Sequence, residues 1–282
     1  MGSLAETIDA RVTRNSNLIF TFTFGMKMRV FFIVLAKEAS LVKKKIRELE
    51  NLGYPYVIVC GEKVNHPNVV YRKPEGKYDA INFGLKFIPH GTDFVALNDV
   101  DTEIHNFEAV LNLLQGKSVS LIFVKVCVKH GPQLAFYSFL DALRKKIPIA
   151  ASGELILIGC ELLKRLLPLQ RCKAEDSYIL FKVLEKGGKI AFCEECYVTT
   201  KRTTHVKQEE AYKRRTVGGI YQALSMTKPP IIVRLFYTFL PFVSPMLLIL
   251  GKKGYYWARG ILLGYVDHER EDTTGSWQPT YA

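Results

Sequence analysis

A chain of 282 residues, 48% apolar and 23% charged, with 20 glycines and 12 prolines near average usage, is long enough to bury a large core and too apolar to be disordered or fibrous. Lysine and arginine (39) exceed aspartate and glutamate (27), and the formal charge of +12 favours an anionic partner: nucleic acid, anionic lipid or a phosphorylated substrate. The 6 cysteines are scattered, several within apolar strand-like runs, which argues against a disulfide framework and for reduced thiols.

Residues 1–27 carry Glu6, Asp9, Arg11 and Arg14 ahead of a short apolar run that Lys27 and Arg29 interrupt too early for a secretory signal, so they are set apart as an N-terminal extension. An apolar run predicts a strand over 30–36, and Leu41, Val42, Ile46 and Leu49 at helical spacing predict a helix after it. Strands over 56–60 and 69–71 follow, then a helix opened by Gly76, a strand over 94–97, a helix over 107–114 and a strand over 119–128. Such alternation predicts an α/β fold, a mostly parallel central sheet flanked by helices, with ligands beyond the carboxyl ends of its strands.

The segment Asn98-Asp99-Val100-Asp101-Thr102 places two carboxylates where the chain leaves the sheet. Oxygen-only ligands suit Mg²⁺ or Mn²⁺ and leave positions open for a diphosphate, although the same residues also suit a solvated turn. Upstream, Gly76 and Lys77 open a helix whose first amides and dipole can face an anion. These two motifs, Gly76-Lys77-x-x-Ala80-x-Asn82-x-Gly84 followed by Asp99-x-Asp101, resemble the family-two inverting glycosyltransferases of GT-A fold. Downstream, Ser152-Gly153-Glu154 looks like that family's glycine-containing strand beside the acceptor site, and Glu175-Asp176 like the acidic pair that opens a helix. The similarity runs over about 190 residues, from Val30 to Gln222, and extends to membrane-associated members related to glucosylceramide, cellulose and hyaluronan synthases.

The resemblance implies a nucleotide-diphosphate sugar donor, UDP-sugars favoured, and a Mg²⁺ or Mn²⁺ cofactor held by Asp101 and Asp99. Asp176 is then the catalytic base with Glu175 beside it, unless the pair merely favours a helix N-terminus through the dipole. Donor contacts are expected from Ala36, Lys37, Glu38, Glu62, Lys77, Asn82, Asp99, Arg214 and Arg215, and a third metal ligand from His205. The chain departs from the family pattern in the first-strand loop, which reads Leu35-Ala36-Lys37-Glu38-Ala39, and at Val59-Cys60-Gly61-Glu62, where an aspartate pair is common. Around Arg214 and Arg215 the Gln-x-x-Arg-Trp motif of processive members is degraded, which implies single addition. Cys193 and Cys196 lack the paired knuckles of a structural zinc site.

The last third changes character. Residues 231–250 carry a single charge, Arg234, and are long enough to span a bilayer, but Pro241 and Pro245 break them. Lys252, Lys253 and Arg259, with Tyr255, Tyr256 and Trp257, suit a hairpin held at the headgroups, with a second helix over 258–265 returning to the catalytic part. The expected layout is therefore a catalytic domain over 28–226 on the cytoplasmic side and a membrane-associated helical segment and tail over 227–282. The expected partners are a lipid-linked or glycan acceptor and a membrane surface, with no nucleic acid. A nucleotidyltransferase and a non-catalytic membrane scaffold are the alternatives.

Overall fold

The computed structural model describes residues 28–114, 118–128, 134–201 and 205–268, so the N-terminal extension and the end of the tail lie outside the described residues. In chain order the strands are β1 (Val30–Ala36), β2 (Tyr56–Cys60), β3 (Val69–Tyr71), β4 (Phe94–Asp99), β5 (Thr102–His105), β6 (Leu121–Val128), β7 (Leu155–Gly159) and β8 (Ile190–Thr200). The α-helices are α1 (Val42–Leu52), α2 (Lys77–Gly84), α3 (Glu108–Leu114), α4 (Leu134–Arg144), α5 (Cys160–Arg165), α6 (Glu175–Glu185), α7 (Val206–Ser225), α8 (Ile231–Val243) and α9 (Gly251–Asp267).

The strands form one sheet in the order β3-β2-β1-β4-β7-β6-β8-β5. Strand β1 is buried along its whole length, as a central parallel strand with both faces covered must be. Its alternating side chains feed two cores. Phe31, Ile33 and Leu35 join the layer made by α2, α5, α6, α7 and α8. Val30, Phe32 and Val34 join the layer made by α1 and α3. Helix α1 presents Val42 and Leu49 to that second core and stops at Gly53, whose left-handed backbone (φ 72°) lets its N–H reach the carbonyls of Leu49 and Glu50.

The mostly parallel expectation is met by β1 to β4 and by the β6–β8 pair, while β7 runs against both its neighbours and β5 runs against β8. That reversal has a consequence for the site. Because β7 is antiparallel to β4, its start meets the carboxyl end of β4, with Asn98 opposite Leu155. Several expected boundaries shift. The strand predicted over 94–97 continues to Asp99, an unpredicted β5 follows at once, and Ser152, Gly153 and Glu154 precede β7 instead of lying within it. Cys193 and Cys196 sit in the single long strand β8, where the pairing with β6 jumps from Val124–Cys193 to Lys125–Tyr197. All six cysteines are free thiols.

At the carboxyl end, α9 lies alongside α7 and runs in the same direction. The contacts advance together along both helices: Trp257 meets Glu209, Arg259 meets Glu210, Asp267 meets Arg214 and Tyr265 packs edge-on against Tyr221. Glycines allow the close approach. A Cβ on Gly264 would stand 2.7 Å from the carbonyl oxygen of Arg214, and one on Gly260 would stand 2.7 Å from that of Glu210. Between these two helices in the chain, α8 turns back along α7 so that Tyr237 meets Tyr221, and the 3₁₀ stretch Ser244–Leu250 leads into α9. The 258–265 segment thus packs back against α7. Residues 231–267 together are long and apolar enough to cross a membrane. With 13 and 17 residues, α8 and α9 reach about 20 and 26 Å at 1.5 Å per residue, each short of a bilayer core of about 30 Å.

Candidate active site

The carboxyl edge of the sheet gathers the charged residues that the motifs single out. Lys77, in the first turn of α2, donates to Asp99 at the end of β4 (2.7 Å) and lies 3.4 Å from Glu175 in the first turn of α6. Burial works against the charge of Lys77, but Asp99, Glu175 and Asp176 outweigh it and raise the ammonium's affinity for its proton. Burial, joined by the charges of Asp176 and Asp99, pushes Glu175 up to about 7 against the pull of Lys77. Asp176 is likewise raised, by burial first, with Lys77 and the amide of Ser177 opposing. Two carboxyl groups held above their ordinary range beside one shared cation are suited to proton transfer at pH values above the ordinary carboxylate range.

Asp176 is placed by backbone contacts. It accepts the amide N–H of Ser177 at 2.7 Å, and its carboxylate lies over Gly153, where an added Cβ would stand 2.8 Å from Oδ2. Behind it, α7 comes so near that a Cβ on Gly219 would meet the backbone nitrogen of Ala174 at 2.7 Å. Asp99 and Asp101 belong to a braced turn. Asn98 donates to Thr102 Oγ1 (2.9 Å) and to the Glu154 carbonyl (2.6 Å), Thr102 Oγ1 donates to the Asp99 carbonyl (2.8 Å), and the Val100 amide reaches the Leu35 carbonyl (3.1 Å).

Lys77, Asp99, Asp101, Gly153, Glu175 and Asp176 line a cavity of about 1580 Å³, and Asn98 and Thr102 brace the turn from outside it. Its wall carries Lys37, Gly61, Lys77, Asp99 and Asp101 from the sheet edge and its loops, and Phe236, Leu240, Val243, Met246, Leu247 and Leu250 from α8 and the 3₁₀ stretch. Tyr237 also lines it, donating to the Ile149 carbonyl at 2.7 Å while its own carbonyl accepts from Tyr221. Val243, Met246 and Leu250 are also exposed outside, so the apolar side continues into the outer face formed by Phe239, Phe242 and Ile249.

Of the predicted site residues, Ala36, Lys37, Lys77, Asp99, Asp101, Glu175, Asp176 and Arg215 line this cavity. The others have different surroundings. Glu62 accepts the Ala39 amide at 2.8 Å and so staples the loop after β1, Glu38 lies in that loop, and Asn82 exchanges hydrogen bonds with the backbone of Leu169 at 3.1 and 2.9 Å. Arg214 turns away to Asp267, with Nε 2.6 Å from its carboxylate. His205 is exposed at the start of α7. Sequence reasoning missed Asn98, Tyr237 and Trp257 as parts of the site; the paired glycines at 218 and 219 in a helix were the one local sign of close packing.

Among the described residues, no group of three or more histidine, cysteine, aspartate or glutamate side chains is placed to hold a metal alone. Asp99 and Asp101 do offer hard oxygen donors at one turn, a set that fits a divalent cation shared with diphosphate oxygens.

No protein-family model and no curated protein matches the chain. Among solved structures it is similar to a mannosyltransferase from Pyrobaculum calidifontis in complex with GDP-mannose and Mn²⁺, with a TM-score of 0.67 and 16% identity over 88% of this chain and 89% of that one. Glucosyl-3-phosphoglycerate synthase from M. tuberculosis gives a TM-score of 0.47 and 18% identity over 72% of this chain and 82% of that one. A Drosophila galactosyltransferase 7 mutant in complex with manganese, UDP-Gal and xylobiose gives 0.35 and 16% over 58% and 65%. The first likeness spans nearly the whole chain and establishes the GT-A fold, the mixed sheet flanked by helices, for this protein.

Proposed function

We propose that this protein is a family-two inverting glycosyltransferase that moves one sugar from a nucleotide-diphosphate donor, UDP-sugars first, to a lipid-linked or other membrane-proximal acceptor. The observation that supports it best is the joining, in one cavity, of the Lys77–Asp99–Glu175–Asp176 cluster to an apolar arm that opens on an exposed apolar helix face. The catalytic part is assigned to residues 28–226 and faces the cytoplasm, and the segment from 227 onward lies on the membrane surface as a hairpin.

In this reading Asp176 takes the proton of the acceptor hydroxyl as that oxygen attacks the anomeric carbon from the face opposite the leaving diphosphate. Glu175 orients the acceptor and shares Lys77, whose ammonium offsets the charge collected at the site. Asp101 and Asp99 would hold Mg²⁺ or Mn²⁺, which supplies charge neutralisation at the leaving diphosphate. Lys37 and Arg215 contribute cationic lining, and the apolar arm keeps water from the far side of the acceptor.

Incubation with nucleotide sugars and an amphiphilic acceptor in the presence of Mn²⁺ tests the reading. Release of a nucleoside diphosphate with a product of inverted anomeric configuration is expected. Release of pyrophosphate identifies a nucleotidyltransferase, and a retained configuration rejects inversion.

A further inference from the structure

Lys45 lies behind the acidic turn, among the residues of the second core. Its side chain is 1% exposed, its ammonium pairs with Glu48 at 3.0 Å, and it donates to the carbonyl of Thr102, the residue after Asp101. Glu48 in turn accepts the amide N–H of Ile104 at 2.7 Å. One turn of α1 therefore grips the backbone of β5 at two points. Strand β5 is only 4 residues long, lies at the edge of the sheet and, among the described strands, pairs with β8 alone.

Stability alone is a poor account of this pair. Removing an ammonium and a carboxylate from water is costly, and an apolar pair of similar volume supports a fold as well or better. An apolar pair has no means, however, of fixing a carbonyl and an amide of a short edge strand. The carboxylates also act on Lys45 from across the turn: burial lowers its proton affinity, and Glu48, Asp101 and Asp99 oppose that.

We infer that Lys45 and Glu48 are positioning residues that fix the turn bearing Asp99 and Asp101 in the geometry that receives a divalent cation carried by a diphosphate. This rests on the donor reading above, with Asn98 and Thr102 bracing the turn from its other side.

Calorimetry on the full chain tests it, with Mn²⁺ plus UDP, Mn²⁺ plus GDP, and each nucleotide alone as probes. Lys45→Met/Glu48→Leu is expected to melt near the parent protein yet bind the metal–nucleotide mixtures at least about tenfold more weakly, with the nucleotides alone unchanged. Lys45→Met/Glu48→Gln keeps one acceptor for the Ile104 amide without leaving a buried ammonium unpaired, and should bind the metal–nucleotide mixtures at least about threefold more tightly than Lys45→Met/Glu48→Leu. Parent-like metal–nucleotide binding by the double variant overturns the inference, as does an equal loss for nucleotides alone, which indicates a collapsed pocket. A Lys45→Met/Glu48→Gln variant that binds no better than Lys45→Met/Glu48→Leu also overturns it, because the grip on the Ile104 amide then has no part in the effect. If the parent itself binds neither mixture, the donor reading falls, and the inference falls with it.

Discussion

At the sheet edge, Lys77 is one ammonium shared among three carboxylates, Asp99, Glu175 and Asp176, whereas on α8 and the 3₁₀ stretch lining the same cavity Leu240, Met246 and Leu247 offer only apolar side chains. The charged side is made from strand ends and first turns of helices, where backbone groups and short hydrogen bonds set positions closely. The apolar side is made from α8, the 3₁₀ stretch and α9, where shape is set by packing and by glycine contacts. Under the proposed function the difference would separate the work: the charged side would handle protons and phosphate charge, and the apolar side would take the apolar body of the acceptor.

The largest expected effect comes from breaking the charged side. Asp176→Asn should lower turnover by about 10²–10⁴ while leaving donor affinity nearly unchanged, because the base acts on the acceptor. Activity of the parent enzyme should fall as pH drops, since the base works only when ionised, and burial places that fall above the ordinary carboxylate range. Lys77→Met removes the cation that opposes this shift, so the fall should move to still higher pH; a pH–rate profile that stays in place shows that Asp176 is not the titrating base.

Gly153→Ala asks how tightly the charged side is set. The new methyl would stand 2.8 Å from Asp176 Oδ2, and displacing the carboxylate by a fraction of an ångström should cost about 10–100-fold in turnover. Parent-like turnover would mean that the carboxylate position is not critical.

The apolar side is probed by Phe239→Glu/Phe242→Glu, at positions 58% and 75% exposed. Each phenylalanine lost from a lipid contact forfeits about 1.5–3 kcal/mol, so sedimentation with anionic vesicles should fall at least about tenfold, while thermal stability shifts by no more than about 0.5 kcal/mol. Unchanged sedimentation rejects a membrane role for this face. The smallest effect belongs to Arg214→Ala, which removes a half-exposed pair with Asp267 worth about 0–1 kcal/mol. Turnover should not change, and a large loss would return Arg214 to the donor site.

The same contrast explains what the sequence makes legible. Gly76-Lys77, Asp99-x-Asp101 and Glu175-Asp176 are short motifs whose partners lie at predictable strand ends, and the structure brings them to one cavity. Arg214 and Arg215 are adjacent and alike in sequence, yet the helix turn sends one to Asp267 and the other to the cavity wall. Lys45 sits in a run of three lysines that reads as a solvated face, and only the long-range approach of β5 buries it. Tyr237 and Trp257 become part of the cavity because α8 and α9 fold back; the fold-back itself is expected from the sequence, but no local spacing encodes which side chains it brings to the cavity. The reversal of β7 is equally silent, since a buried strand looks the same in either direction.

The glycine seam also makes the molecule stiff along one line. From α9 to α7 the contact is Gly264 against the Arg214 backbone, and from α7 to the first turn of α6 it is Gly219 against Ala174. At both junctions backbone meets backbone, with no long side chain between them to deform as a cushion. Close-packed interiors leave little room for adjustment, so a side chain larger than hydrogen at Gly219 would displace Ala174, the residue just before Glu175 and Asp176.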